Sequence, residues 1–169
     1  MKQLSSRVGA IAAGALLAVS CEQIAPARVD FPADSAAGES PLRMAGATGA
    51  AIIVGVHING HGPFDFVLDT GATLTCIDRD LATRLQLHDA RRFARGSSIS
   101  GTGQVRLVRI DSLRVGRISA HHLVACALQL DQLQRMPGLE AHGLLGLNFL
   151  KSFRVTLDFQ RSVLRLERP

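Results

Sequence analysis

The sequence predicts an all-β, barrel-like domain with one or two short helices. Short runs rich in Val, Ile and Leu recur from residue 51 to residue 166, and clusters of Gly, Asn, Pro and Asp interrupt them at close intervals. Helical spacing of apolar residues is confined to two short segments. With 169 residues, 47% of them hydrophobic, the chain can build one domain around one core, and a two-lobed body does not fit. Seven Phe, with neither Trp nor Tyr, make that core aliphatic.

The first 20 residues read as an export signal. Lys2 and Arg7 give a positive start, and Val8 to Val19 is an apolar, small-residue stretch too short for a membrane span. Ala18-Val19-Ser20-Cys21 resembles a bacterial lipobox, in which the Cys is lipidated and anchors the chain to a membrane surface. The plainer reading is cleavage after a small residue with Cys21 merely nearby. Residues 21–46, rich in Ala, Pro, Gly, Ser and acidic side chains without periodicity, predict a flexible tether, and the globular domain is expected over 47–169.

Within the domain, Ala51 to Ile58 is a β-branched strand followed by the turn cluster Asn59-Gly60-His61-Gly62-Pro63, and Phe64 to Leu68 is the returning strand. Leu74 to Asp78 reads as a third strand, and Arg79 to Leu85 as a short helix with Leu81 and Leu85 on one face. Ser97 to Ser100 and Gln104 to Ile110 form a hairpin whose tip is Gly101-Thr102-Gly103, because paired glycines permit positive φ. Leu113 to Val115, then Leu123 to Leu128, are further strands, and residues 129–139 read as a loop with a helical turn. Leu144-Leu145-Gly146 reads as a buried strand meeting close backbone, Leu147 to Phe153 as a helix, and Val155 to Phe159 with Val163 to Leu166 as a closing hairpin.

Charge excludes one class of function. The net charge of +5 includes Lys2 and Arg7, and the remaining Arg are scattered apart from Arg91-Arg92-Phe93-Ala94-Arg95, read as a solvated loop. A nucleic-acid surface needs a basic face with stacking aromatics, and neither is present. His121-His122 lacks a third ligand at metal-site spacing, so no metal or other cofactor is expected.

Chemistry concentrates at Phe66-Val67-Leu68-Asp69-Thr70-Gly71-Ala72. A carboxylate between an apolar strand and a tight Gly turn is costly unless hydrogen bonds hold it or a reaction uses it. Leu68-Asp69-Thr70-Gly71-Ala72 resembles the active-site signature of retropepsin-like (retroviral-type) aspartic proteases, and Leu144-Leu145-Gly146 resembles its companion element. The likeness runs from Ile52 to Leu166 and implies a closed barrel with a flap hairpin. By the same resemblance Asp69 is catalytic, Thr70 locks the active-site turns together and Gly71 permits the turn. Gly101, Thr102 and Gly103 tip the flap, and Leu144, Leu145 and Gly146 pack beneath the active-site loop.

That mechanism uses two carboxylates sharing a proton, and this chain holds one Asp-Thr-Gly. A two-fold homodimer is therefore implied, each chain giving one Asp69, with the terminal strands Val155 to Phe159 and Val163 to Leu166 as candidates to pair across it. The substrate implied is a peptide or protein segment lying extended between flap and turn, with Leu74, Ile77, Ile99 and Leu144 as pocket residues. Ala72 cannot donate the hydrogen bond that Ser could give an ionised carboxylate, which predicts a mildly acidic to neutral activity optimum. In the related fold the positions of Cys76 and Cys126 lie close together, so either a disulfide or two buried thiols is expected. A non-catalytic domain that binds a peptide or partner in the same cleft is the second reading.

Overall fold

The computed structural model describes residues 18–19, 27–33, 37–46, 49–98, 101–131 and 138–169. Its strands in chain order are β1 (Ala18–Val19), β2 (Arg28–Asp30), β3 (Ala37–Ala45), β4 (Ala51–Ile58), β5 (His61–Leu68) and β6 (Cys76–Asp78). After helix α1 (Arg79–Arg84) come β7 (Asp89–Ser98), β8 (Gly101–Val115), β9 (Ile118–Leu128) and β10 (Gly143–Leu145). The one-turn helix α2 (Leu147–Leu150) leads to β11 (Arg154–Asp158) and β12 (Val163–Glu167). Residues 1–17 and 20 of the expected signal, Cys21, Ile99 and residues 132–137 of the expected loop lie outside the described residues.

The β-branched runs dictate the ladder. In β4, Val54, Val56 and Ile58 alternate into the interior and are almost solvent-free. Asn59 and Gly60 then take positive φ, 49° and 84°, to reverse the chain in two residues, so the turn is shorter than the expected cluster and His61 to Pro63 already belong to β5. The Asn59 side chain accepts the backbone N–H groups of Asp111 and Ser112, both at 3.0 Å, which ties this turn to β8.

From β4 the sheet passes to β5, parallel to β10, on to β6, parallel to β9, and through β8 back to β4. The last step, with Val56 opposite Val115 and Ile58 opposite Leu113, closes a six-stranded barrel. Its core is aliphatic as expected: Ile58, Ile77, Ile110, Leu113, Leu123 and Leu145 pack around Phe66, joined by Leu81 from α1 and Phe149 from α2. The Asp78 carboxylate caps α1 by accepting from Asp80 N at 3.0 Å and Leu81 N at 3.2 Å.

Four expectations are corrected. Residues 37–45 of the expected tether form β3, paired to β4 on one side and β12 on the other. Its buried positions Gly38, Ser40 and Leu42 alternate before Ala45 breaks the period, and Gly38 and Ser40 carry no hydrophobic signal, so composition hides the pattern. Gly38 is required there: a Cβ would sit 2.5 Å from the Ile118 side chain. Arg91 to Arg95 lie in β7 rather than a loop, with Phe93 opposite Arg106 and Arg95 opposite Gln104.

The β7–β8 hairpin reverses between Ser98 and Gly101, so Gly101, Thr102 and Gly103 lie on β8 and not at the tip. Reversal there adds cross-strand pairs, Gly96↔Gly103, Ser97↔Thr102 and Ser98↔Gly101, that a tip at the glycines would lose. Finally, β12 is flanked within its own chain by β3 and β11, which removes it as a strand for exchange. β11 has an outer edge without a partner among the described residues, as do the short strands β1 and β2.

Candidate active site

Asp69 sits at the end of β5, where the parallel neighbour β10 ends in step with it: Leu68 lies opposite Leu145. The Asp69 N–H donates to Leu145 O at 3.1 Å, so the Leu-Leu-Gly element directly anchors the acidic residue. The chain then folds back tightly. Gly71 N donates to Asp69 Oδ1 at 2.8 Å, and Ala72 N to Asp69 O at 3.4 Å. Asp69 is half-buried, Thr70 and Gly71 are exposed, and Ala72 is fully buried. One carboxylate oxygen is thus held by the turn, and the residues beside it face outward.

Beneath the turn is a bracing network that the sequence reading missed. Leu147 N donates to Ala72 O at 2.8 Å and Asn148 N to Thr73 O at 3.1 Å, joining the start of α2 to the turn. The Asn148 Oδ1 accepts from Thr75 N at 2.7 Å and from the Thr75 hydroxyl at 2.9 Å, while its Nδ2 donates to Val124 O at 2.8 Å. The same hydroxyl accepts from Gly146 N at 3.2 Å. Thr75 is fully buried, so the network satisfies polar groups that would otherwise be stranded. The available signal was a hydroxyl in an apolar strand and an amide two residues after Gly146.

Close backbone approach explains the glycines. A Cβ on Gly143 would overlap the Phe66 ring, and one on Gly146 would overlap Leu74 O. Between these contacts, Cys76 faces Cys126 across the parallel β6–β9 pair at a Cα separation of 4.5 Å, and the structure joins them by a disulfide. This disulfide lies in a second small core with Leu74, Val105, Leu107 and Leu144, which packs the base of the β7–β8 hairpin against the turn. Of the expected pocket residues, Leu74 and Leu144 belong to this cluster, whereas Ile77 faces the barrel core.

The histidines stand apart from the acidic turn. His121 Nε2 lies 3.2 Å from Asp30 Oδ2, which links β9 to β2. His142 shapes the entry to β10: its N–H donates to Asp65 O at 2.7 Å and its carbonyl accepts from Asp78 N at 2.8 Å. Among the described residues no group of three or more His, Cys, Asp or Glu is placed to hold a metal.

Residues 54–152, more than half of the chain, match the gag-polyprotein aspartyl protease family. No curated protein matches the sequence. Among solved structures, a retropepsin-like aspartic protease from Rickettsia conorii is similar in fold, with TM-score 0.53 and 16% identity over 86% of this chain and 97% of that one. The retroviral protease-like domain of Ddi1 from Leishmania major gives TM-score 0.45 and 18% identity over 69% of this chain and 87% of that one.

Proposed function

Because the chain belongs to the retroviral-type aspartyl protease family, we propose that it is an aspartic endopeptidase whose site is completed by a second copy. The observation that carries this reading is the presentation of Asp69: a carboxylate held by Gly71 N, on a residue whose backbone N–H is anchored to Leu145 O, in a turn whose Thr70 faces outward. A single carboxylate cannot serve as both base and acid in one step, and the partner's Asp69 supplies the other.

In the proposed reaction the ionised Asp69 takes a proton from water as the water oxygen bonds to the peptide carbonyl carbon. The protonated Asp69 across the two-fold gives its proton to the carbonyl oxygen. The first Asp69 then gives its proton to the amide nitrogen as the C–N bond breaks, the partner's Asp69 takes one from a hydroxyl of the tetrahedral intermediate, and the pair returns to one shared proton. The substrate lies extended beneath the β7–β8 hairpin, whose base packs on Leu74 and Leu144 beside the turn. Export and lipidation at Cys21 are part of the same proposal, supported by the basic, apolar and small-residue order of residues 1–21.

The test is cleavage of an unstructured peptide library by the native chain and by Asp69→Asn over a pH series. Cutting that is lost in the variant and is strongest at mildly acidic to neutral pH supports the proposal. A folded, dimeric native chain that leaves every peptide intact supports a peptide-binding module instead.

A further inference from the structure

Nearly all of the chain's net charge is carried by one hairpin. Residues 89–109, which span β7 and the first part of β8, hold five Arg against one Asp, a net +4 of the chain's +5. Arg91, Arg92 and Arg95 lie on β7, and Arg106 and Arg109 on β8. Arg106 is tied to Asp89 at 2.7 Å, and Arg109 is exposed. The cleavage proposed above uses carboxylates and water, so it does not itself call for these cations.

The charged element is footed beside the acidic turn. Val105 and Leu107 of β8, with the half-buried Ala90 of β7, pack in the small core that holds Leu74 and Leu144. From that base the outer edge of β7 runs free. β8 pairs with β7 on one side, while on the other β1 reaches only Gly96 and Ser97, opposite Val19 and Ala18. From Asp89 to Arg95 no strand lies along that edge among the described residues.

The short pairing with β1 shows what the edge accepts, which is extended backbone. An open strand edge offers main-chain donors and acceptors to any extended segment, and charge decides which segment it admits. Three Arg within residues 91–95 repel a second copy of the same edge and a basic peptide, and they favour an acidic one.

We propose that the outer edge of β7 binds an acidic, extended segment of the peptide substrate, with Arg91, Arg92 and Arg95 selecting for Glu or Asp. The proposal rests on the peptide-cleaving reading for its substrate, and it is tested by binding rather than by cleavage.

The experiment is fluorescence anisotropy with the full chain carrying Asp69→Asn, so that no peptide is cut, and with far-UV circular dichroism as the check on folding. The probes are three labelled peptides of one extended apolar sequence flanked by Glu, by Gln or by Lys. Sedimentation with vesicles of phosphatidylglycerol and phosphatidylcholine is run beside it. The Glu peptide binds about tenfold or more tighter than the Gln peptide at about 20 mM salt, and the gap closes at about 0.5 M. Joint replacement by Arg91→Gln, Arg92→Gln and Arg95→Gln removes the gap. Joint replacement by Lys151→Gln, Arg154→Gln and Arg161→Gln takes the same charge from exposed positions elsewhere and keeps it. Arg91→Glu, Arg92→Glu and Arg95→Glu together turn the preference to the Lys peptide, an outcome that misfolding cannot produce.

Equal binding of the Glu and Gln peptides, a preference indifferent to salt, or a β7 Glu variant that gains no Lys preference overturns the proposal and leaves the protease reading intact. Loss of the preference in the variant at 151, 154 and 161 also overturns it, since net charge alone is then acting. β7 Arg that govern sedimentation with the anionic vesicles, without a Glu preference among peptides, overturn it in favour of a lipid headgroup surface. A Glu preference that depends on the β7 Arg, in a protein whose native chain cuts no peptide, leaves the acidic-segment site standing while the protease reading fails.

Discussion

Asn148→Ala tests whether the turn beneath Asp69 is braced as described. Truncation removes the acceptor for the Thr75 N–H and hydroxyl and the donor to Val124 O. The Thr75 N–H cannot turn elsewhere, because the residue is fully buried just before β6, so it bears the penalty of an unmade hydrogen bond. One stranded buried donor costs about 1–3 kcal/mol and each further lost bond about 1 kcal/mol. Asn148 is half-exposed, so water entering the vacated space offsets part of this. The expected loss is about 2–4 kcal/mol, which lowers the urea midpoint by about 1–2 M at an m-value of about 2 kcal/mol/M. Far-UV circular dichroism is the suitable probe, since the chain has no Trp or Tyr. Thr75→Val and the double variant complete a cycle in which the coupling should reach about 1–3 kcal/mol. A single-variant loss below about 1 kcal/mol, or additivity in the cycle, would refute the bracing role.

Two other perturbations address stability. Replacing both Cys76 and Cys126 by Ser opens a loop of sequence separation 50, and the chain-entropy relation gives a loss of about 4 kcal/mol. Equal urea midpoints for the native chain with and without reductant, under conditions where alkylation shows both thiols free, would contradict that constraint. His57 is held below its ordinary value of 6.5, first by burial and then by the Arg114 charge. The unfolded chain therefore binds a proton near pH 6.5 that the folded chain refuses until lower pH, so stability is unaffected above that value and falls as pH drops through it. The melting temperature of His57→Gln should decline less than that of the native chain between about pH 7.5 and about pH 5.5; equal declines would show that another group governs this window.

The barrel was legible because its strands are β-branched and its turns are written in Gly and Asn, as at Ala51 to Leu68. The acidic turn was legible because a carboxylate in apolar sequence is conspicuous, and the structure brings Asp69 and Leu145 into direct hydrogen-bond contact. β3 was hidden because burial there is achieved by Gly38 and Ser40, small residues that carry no hydrophobic signal. The hairpin tip was misplaced because glycine marks permissiveness, not necessity: Gly103 lies in the ladder opposite Gly96. The Thr75–Asn148 brace joins residues 73 positions apart, and no local pattern announces a partner at that distance.

The placement of these braces bears on how a two-chain site would assemble. Leu145 O, Asn148 and the Cys76–Cys126 link all grip the turn and its following strand from the barrel side, whereas Thr70, Gly71 and Leu147 are left on the open side. Order already present in one chain is order that association need not create, and association is stronger for it. Weakening the brace should then loosen the proposed dimer: Asn148→Ala raises its dissociation constant. If Asn148→Ala lowers stability and leaves association unchanged, the brace does not prepare the turn for a second copy.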